Sequence, residues 1–246
     1  MALTDVRASR RQLLLDGAGI AVSALAFGLV YGLAARNAGF SVVEGSAMSI
    51  IAFSGAAQFA AVGYIAGGLP WPGVVLLTAL LNARHLLYSA ALAPWLSSRP
   101  RIQRAAVAHF LTDEAFALSM SHFRRIGRAD LRGYWIAGIL VTFIPWNVAT
   151  ITGIVLGAAI PEPERLGLDV VFPAAMAGLA VGLIAGRRDL VAAAAGAAIA
   201  VVVGLAVDPS VGIIAGGVLG PMVAMVAVKA EPTADLAHPE ALEGAP

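Results

Sequence analysis

Long apolar runs separated by short polar links occupy most of the chain. A helix needs about 20 mostly apolar residues to cross a bilayer. Eight runs reach or approach that length, and they cover residues 17–35, 46–69, 71–96, 103–123, 131–160, 168–186, 190–207 and 209–228. The pattern predicts an all-α, polytopic membrane protein with about eight hydrophobic segments.

The polar ends of the chain predict its organisation. Residues 1–15 carry three arginines and are expected to form a cytoplasmic tail. Residues 16–228 are predicted to form a single transmembrane transporter domain. Residues 229–246, rich in Pro, Ala and Glu, have the composition of a disordered tail.

Composition excludes a soluble protein. Hydrophobic residues make up 59% of the chain and charged residues 13%, whereas a soluble domain has about 45–50% and about 25%. The net charge of +1 creates no field that attracts nucleic acid, so no nucleic-acid partner is expected. The chain has no cysteine, which excludes disulfides and thiolate metal sites.

Arginine clusters between the segments predict the orientation, because Lys and Arg accumulate in cytoplasmic loops. Eight crossings with both termini inside place the arginines of residues 7–11, 124–132 and 187–188 in the cytoplasm. The cluster of Arg99, Arg101 and Arg104 then lies outside. If segments two and four are re-entrant hairpins, this cluster returns inside. Both counts keep the N-terminus cytoplasmic.

Segments two and four are predicted to be broken or re-entrant, because both carry polar residues near their middle. Segment two contains Ser46, Ser49, Ser54, Gly55 and Gln58, and segment four contains His109, Thr112, Asp113 and Glu114. Broken helices are tolerated at membrane depth where they line a cavity or are buried in protein. Such breaks commonly form substrate sites in transporters.

Glycines spaced four residues apart predict close helix packing. The pairs are Gly28 and Gly32, Gly63 and Gly67, and Gly153 and Gly157, and longer ladders join Gly178, Gly182 and Gly186 and join Gly212, Gly216 and Gly220. Each spacing places a bare stripe on one helix face, where another helix can approach closely.

Three charged residues inside apolar segments are the strongest chemical signal. Arg84, Asp113 and Glu114 would each cost roughly 2.5–3.5 kcal/mol at the bilayer centre. They must therefore pair or face water. One interpretation is an ion pair that only fixes the register of two helices. The other is a functional site, because a buried carboxyl or histidine that changes protonation is what a proton-coupled carrier requires.

Other chemistry is absent from the sequence. No HExxH, GxSxG or phosphate-binding glycine motif occurs, so neither an enzyme nor a cofactor is predicted. The histidines lack metal-ligand spacing apart from His109 and Asp113, so no metal site is predicted. Interfacial anchoring explains most of the tryptophans, which are Trp71, Trp95, Trp135 and Trp146.

Three motifs resemble the AzlC-type family, the large subunit of bacterial branched-chain amino-acid exporters. They are SAMSIIAFSGAAQFAAVG (46–63), LLNARHLLYSAALAPWL (80–96) and LTDEAFAL (111–118). The resemblance implies export of valine, leucine, isoleucine and, as a further candidate, methionine across the bacterial inner membrane. It also implies coupling to protons and a small AzlD-type membrane partner.

The resemblance also suggests which residues carry the function. The positions assigned to substrate binding are Ser54, Gly55, Gln58, Asn82 and Arg84. Those assigned to proton coupling are His85, Asp113 and Glu114. Arg84 or a half-helix N-terminus in segment two is expected to hold the substrate carboxylate, and Asp113 or Glu114 the ammonium group.

Two other classes of function remain open. Re-entrant segments also build ion or water channels, although buried charges of both signs favour the gated site of a carrier. A membrane scaffold that holds a small partner is the third interpretation, and it requires the charged residues to be dispensable.

Overall fold

The computed structural model describes residues 5–159, 181, 184 and 186–228. Every regular element in this part of the chain is a helix. The chain divides into two compact units, Met1–Met176 and Ala177–Pro246. The helices of the first unit are α1 (Val6–Asn37), α2 (Val42–Ile51), α3 (Gly55–Ala66), α4 (Trp71–Asn82), α5 (Arg84–Leu96), α6 (Arg101–His109), α7 (Asp113–Ile126) and α8 (Leu131–Ala159). Those of the second unit are α9 (Arg187–Ala206) and α10 (Pro209–Ala227).

Five stretches of the described chain are long and apolar enough to span a membrane. They are α1, the α4–α5 pair over Trp71–Leu96, α8, α9 and α10. The helices α2 and α3 are apolar but shorter. Helix length therefore supports a polytopic protein without establishing eight crossings. Most of the sixth predicted segment and the predicted tail at 229–246 lie outside the described residues.

Helices α1 and α2 begin earlier than the apolar runs because polar side chains cap them. The Asp5 carboxylate accepts from the Arg7 backbone N–H at 3.0 Å, so α1 starts within the basic segment. Ser41 and Glu44 form a reciprocal capping box, which satisfies two backbone donors at the start of α2.

Segments two and four are interrupted, as their polar residues predicted. The first interruption lies at residues 52–54, between α2 and α3, and the second at residues 110–112, between α6 and α7. Segment three is also interrupted, which the apolar pattern did not indicate. At Ala83 the chain makes tight three-residue turns, with hydrogen bonds from Ala83 N to Leu80 O and from Leu86 N to Ala83 O.

Helix α8 contains a π-helical stretch, Ile136–Phe143, directly before Pro145. Proline has no backbone N–H to donate to the preceding turn. The Thr142 hydroxyl donates to the carbonyls of Gly138 at 2.7 Å and Ala137 at 3.2 Å. This widened turn is a local distortion of the kind that often marks functional sites.

Glycines bring α1 and α8 into backbone contact. A Cβ added at Gly32 would meet the Thr150 carbonyl oxygen, and it would lie 2.8 Å from the Ile154 nitrogen. The reciprocal position, Gly153, faces Leu29 and Gly32. The predicted pairs Gly28/Gly32 and Gly153/Gly157 therefore pack against each other's helices, as expected for close backbone approach. The third predicted pair does not show this, because the atoms nearest to a Cβ at Gly67 belong to its own segment.

The two helices of the second unit also pack closely through glycines. Its glycine ladder on α10 faces small residues of α9, and the positions involved are Gly212, Gly216 and Gly220 against Gly196, Ala200 and Gly204. The ladder predicted at 178–186 lies largely outside the described residues.

A polar clamp, formed by Ser9, Arg10, His122 and Asp130, holds the start of α1 against the loop after α7. Asp130 accepts two hydrogen bonds from Arg10, both at 2.7 Å, and one from His122 Nε2 at 2.9 Å. Because an ionised carboxylate only accepts, Nε2 carries the proton. The other ring nitrogen, Nδ1, lies 2.8 Å from the Ser9 hydroxyl. Ser9 is 2% exposed, which leaves no space for a substrate beside the hydroxyl.

The clamp depends on an ionised Asp130. Burial alone would raise the pKa of Asp130, but hydrogen bonds from Arg10 and His122 outweigh it and hold the pKa well below its usual range. Gly133 completes the arrangement, since an added Cβ would lie 2.5 Å from the His122 ring.

We expect Gly32→Ala to lower the free energy of unfolding by about 1–3 kcal/mol, because the new methyl group would overlap the α8 backbone. Thermal unfolding in detergent measures the change. Gly19→Ala is the control on the same helix, since a Cβ there meets nothing within 4 Å. Equal stability of the two variants would contradict backbone packing at Gly32.

We expect Asp130→Asn to destabilise the protein by roughly 1–3 kcal/mol at neutral pH, because it removes charge-assisted hydrogen bonds. A carboxylate with a lowered folded-state pKa stabilises the fold above its ordinary value of 3.8, and loses that effect as the pH falls toward the lowered value. The stability difference between variant and wild type should therefore shrink below about pH 4. A difference independent of pH would contradict this.

Candidate functional site

The interruptions of segments two, three and four meet in the first unit. The Ser54 hydroxyl, directly before α3, donates to Asn82 Oδ1 at 2.7 Å. Arg84 Nη1 lies 3.0 Å from Asp113 Oδ2, the first residue of α7. Because Asn82 and Arg84 flank the turn at Ala83, the starts of α3 and α7 both lie against this turn.

Two helix N-termini therefore contribute positive potential to the site. At the start of α7, Thr112 Oγ1 accepts from the Ala115 N–H at 3.2 Å and caps the helix. At the start of α3 the Ser54 hydroxyl donates to Asn82 and its oxygen accepts no capping bond. Within the described residues the first N–H groups of α3 therefore have no capping side chain, and such groups bind anions well.

In the Arg84–Asp113 ion pair, some hydrogen-bonding atoms have no partner. The side chains are 32% and 38% exposed. Arg84 Nε and Asp113 Oδ1 are both buried and have no hydrogen-bond partner in the described structure. One donor and one acceptor of the pair therefore have no hydrogen-bond partner among the described residues, and the Asp113 carboxylate also lies close enough to the Tyr88 hydroxyl to interact with it.

The ion pair continues into an aromatic and apolar contact between α5 and α7. One turn beyond Arg84, Tyr88 stacks on Phe116, with ring centroids 4.5 Å apart. Leu92 on α5 and Phe123 on α7 continue the interface in a buried cluster. Arg84 and Tyr88, four residues apart, lie on one face of α5, and the apolar contact between α5 and α7 fixes the register of the ion pair.

Aromatic rings close the other side of the site. Phe143, at the end of the π-helical stretch, packs on Phe53 and on Phe110, each with ring centroids 5.0 Å apart. Phe53 and Phe110 lie in the interruptions of segments two and four. The distortion of α8 therefore places one ring against both breaks.

Gln58, on α3, is more deeply buried than the Arg84–Asp113 pair. It is 0% exposed, and neither its amide nitrogen nor its amide oxygen has a hydrogen-bond partner among the described residues. Its amide lies near the Tyr31 hydroxyl, which is also unpartnered. Tyr31 stacks on Trp146 at 5.9 Å between ring centroids. Buried amides without partners are costly, so this position is poorly optimised for stability.

The remaining predicted residues occupy different surroundings. His85 Nδ1 lies 3.0 Å from the Asn82 carbonyl oxygen, so the ring satisfies the backbone at the turn. A Cβ at Gly55 would lie 3.0 Å from the Trp146 ring. Glu114 is exposed and forms no ion pair with a described residue, so Asp113 alone of the two adjacent carboxylates pairs with Arg84.

Several residues of the site were not predicted. Tyr31 and Phe143 carry no charge and lie outside the three motifs, and Tyr88 and Phe116 lie within motifs but were assigned no role. Trp146 is 9% exposed and stacked inside the helical core, so interfacial anchoring does not explain it. Pro145 is the one local signal, because a proline inside an apolar run indicates a helix distortion.

The fold and the site define a polytopic helical membrane protein with discontinuous helices around a charged pair. The model of the AzlC protein family matches residues 19–160. The chain belongs to the AzlC family, as its motifs indicated, and this is a transport-related membrane family.

Three relatives illustrate the family. An uncharacterised membrane protein from Archaeoglobus fulgidus is 31% identical over 195 residues, which cover 78% of this chain and 83% of that protein. Inner membrane protein YgaZ from Escherichia coli is 27% identical over 59% of this chain and 60% of its own length. The branched-chain amino acid transport protein AzlC from Bacillus subtilis is 32% identical over 28% of this chain and 27% of its own length. No solved structure matches the chain.

We expect Gln58→Leu to raise the unfolding temperature, because it removes an unpaired buried amide whose cost is about 1–3 kcal/mol and keeps the volume similar. Gln58→Ala, the matched control, should lower it by leaving a cavity. Differential scanning fluorimetry in detergent measures both. A less stable leucine variant would show that the amide has a stabilising partner.

Proposed function

We propose that this protein is the large subunit of a secondary exporter of branched-chain amino acids, with valine, leucine and isoleucine as substrates and methionine as a further candidate. The observation that carries the proposal is the meeting of three helix interruptions at the Arg84–Asp113 pair. Discontinuous helices commonly form transporter substrate sites near the bilayer midplane. The relation to a branched-chain amino acid transport protein supports the substrate class.

The chemistry of the site suits a zwitterion with an apolar side chain. The unused Arg84 Nε–H and the uncapped N–H groups of α3 are donors for a carboxylate, and the unused Asp113 Oδ1 is an acceptor for an ammonium group. Phe53, Phe143 and the small residue Gly55 would surround the side chain without polar atoms. Arg84 Nε and Asp113 Oδ1 are buried in this conformation, so substrate entry requires the ion pair to open.

Opening the pair also provides a route to proton coupling. A carboxylate that loses its cationic partner binds a proton more readily. In this scheme Asp113 exchanges Arg84 for either a proton or the substrate ammonium. Glu114, adjacent and exposed, and His85, at the same turn, would relay the proton.

The assembly and orientation complete the proposal. The exporter would lie in the bacterial inner membrane with a cytoplasmic N-terminus, as the arginine pattern favours. A small AzlD-type membrane subunit would complete the transporter. Segments two and four would present their interruptions to the substrate, whether they cross the membrane or re-enter it.

Efflux of labelled valine from cells that express the chain with its small partner tests the proposal. We expect saturable efflux, lowered roughly tenfold or more by Arg84→Gln and by Asp113→Asn, because each leaves a charge unpaired in a low-dielectric site. Efflux of labelled alanine or glycine should be nearly the same in cells with and without the chain.

The matched controls are Arg125→Gln and Asp16→Asn. These residues form an ion pair of similar length, 3.1 Å, and of similar exposure. Arg125 lies twelve residues beyond Asp113 on α7, away from the helix interruptions. Protein levels must be equal in all strains. Unchanged valine efflux in the Arg84 and Asp113 variants would refute the site, and a linear flux with ionic current would favour a channel.

A further inference from the structure

A cleft lies between α5 and α6, and none of the residues assigned to transport lines it. Its volume is about 360 Å³. Its apolar floor consists of Leu92, Leu96, Val107 and Leu111, which are buried, and its accessible lining includes small apolar residues and two arginines, namely Ala93, Ala105, Ala108, Arg101 and Arg104. The cleft therefore combines an apolar lining with two positive charges.

Both arginines are available to a ligand. Arg101 and Arg104 are three residues apart on α6 and so lie on the same side of the helix. Both are exposed, and neither forms an ion pair with any residue that the structure describes. Arg99, in the preceding link, adds a third positive charge to this end of the helix pair.

The length of the cleft fits within one leaflet of a bilayer. Arg101 and Ala108 are seven residues apart on α6, about 10 Å along the helix, whereas one leaflet is half of a hydrocarbon core about 30 Å thick. Trp95, beside the arginine end of α5, packs on Phe123 and suits the interfacial region. The arginines would then lie at headgroup level and the alanines of the cleft at acyl-chain level.

We propose that this cleft is a specific binding site for an anionic phospholipid, with the phosphate held by Arg101 and Arg104 and one acyl chain lying over Ala93, Ala105 and Ala108. Basic pockets beside membrane helices bind anionic headgroups in this way. The apolar lining accounts for the chain, and the two unpaired arginines account for the negative charge. A zwitterionic lipid carries the same phosphate, but its own cationic group lowers the net attraction of the headgroup for the two arginines.

The site would act on the helices that carry the candidate transport residues. Helix α5 begins at Arg84, and α6 ends three residues before Thr112. A lipid bound between α5 and α6 would hold the two helices together at the end remote from the Arg84–Asp113 pair.

The test uses the full chain, purified in a neutral detergent and stripped of lipid. Phosphatidylglycerol or phosphatidylcholine is added, bound lipid is counted by native mass spectrometry, and the unfolding temperature is recorded. We expect wild-type protein to retain phosphatidylglycerol in preference to phosphatidylcholine and to be stabilised by several degrees. The double variant Arg101→Gln/Arg104→Gln should lose about tenfold or more of that affinity.

Two control variants separate this site from general charge and folding effects. Arg7→Gln/Arg11→Gln removes the same charge from exposed positions on α1 and should bind lipid like the wild type. Ala105→Phe fills the cleft and keeps both arginines, so it should also lose the lipid. An inorganic phosphate arm should produce no comparable stabilisation.

Three outcomes would overturn the proposal. Equal binding of the two lipids would show that the protein does not distinguish headgroup charge. Undiminished binding by the Arg101/Arg104 double variant or by Ala105→Phe would show that the lipid binds elsewhere. Stabilisation by inorganic phosphate alone would indicate an anion site without a lipid chain. Each result is independent of amino-acid transport, so the proposed function can fail or hold separately.

Discussion

The cost of a charge inside an apolar segment shapes this protein more than any other constraint. Arg84 lies within a long apolar helix pair, and lipid offers it no partner. The chain satisfies it with Asp113 at 3.0 Å, which requires a carboxylate at the same depth on another segment. Interrupting that segment places Asp113 at a helix N-terminus, where the backbone also stabilises its negative charge. The ion pair and the helix interruption at Asp113 therefore both lower the cost of charge inside the apolar segments.

Polar groups of the first unit differ in whether they have hydrogen-bond partners. Helices α1 and α8 meet backbone to backbone through glycines, and the clamp around Asp130 has its polar groups well paired. Around the interruptions, polar atoms of Arg84, Asp113 and Gln58 remain without partners. Buried polar atoms without a partner among the described residues also occur beside the α1–α8 contact, at Trp146 and Thr150. Each such atom lowers stability, so its presence alone does not identify a site.

The proposed lipid cleft lies beside the helices that lead to the Arg84–Asp113 pair. Helix α5 contributes Arg84 at its start to the charged site, and farther along it forms with α6 a cleft lined by two arginines that have no ion-pair partner among the described residues. Membrane helices gain no hydrophobic driving force from packing on each other in lipid. Interactions with particular lipids are therefore one of the few means by which such a helix pair can be held in a defined geometry.

The sequence by itself determined the membrane class, the helical fold, the glycine contacts and the residues at which charge had to be satisfied. These depend on local quantities, namely the hydropathy of a run, residue spacing and the cost of an isolated charge. Only the tertiary structure decided that Asp113 and not Glu114 pairs with Arg84, because neighbouring residues point about 100° apart on a helix. The break at Ala83, the stacking of Trp146 on Tyr31 and the Asp130 clamp were likewise decided by contacts between distant segments, whose distances no local pattern encodes.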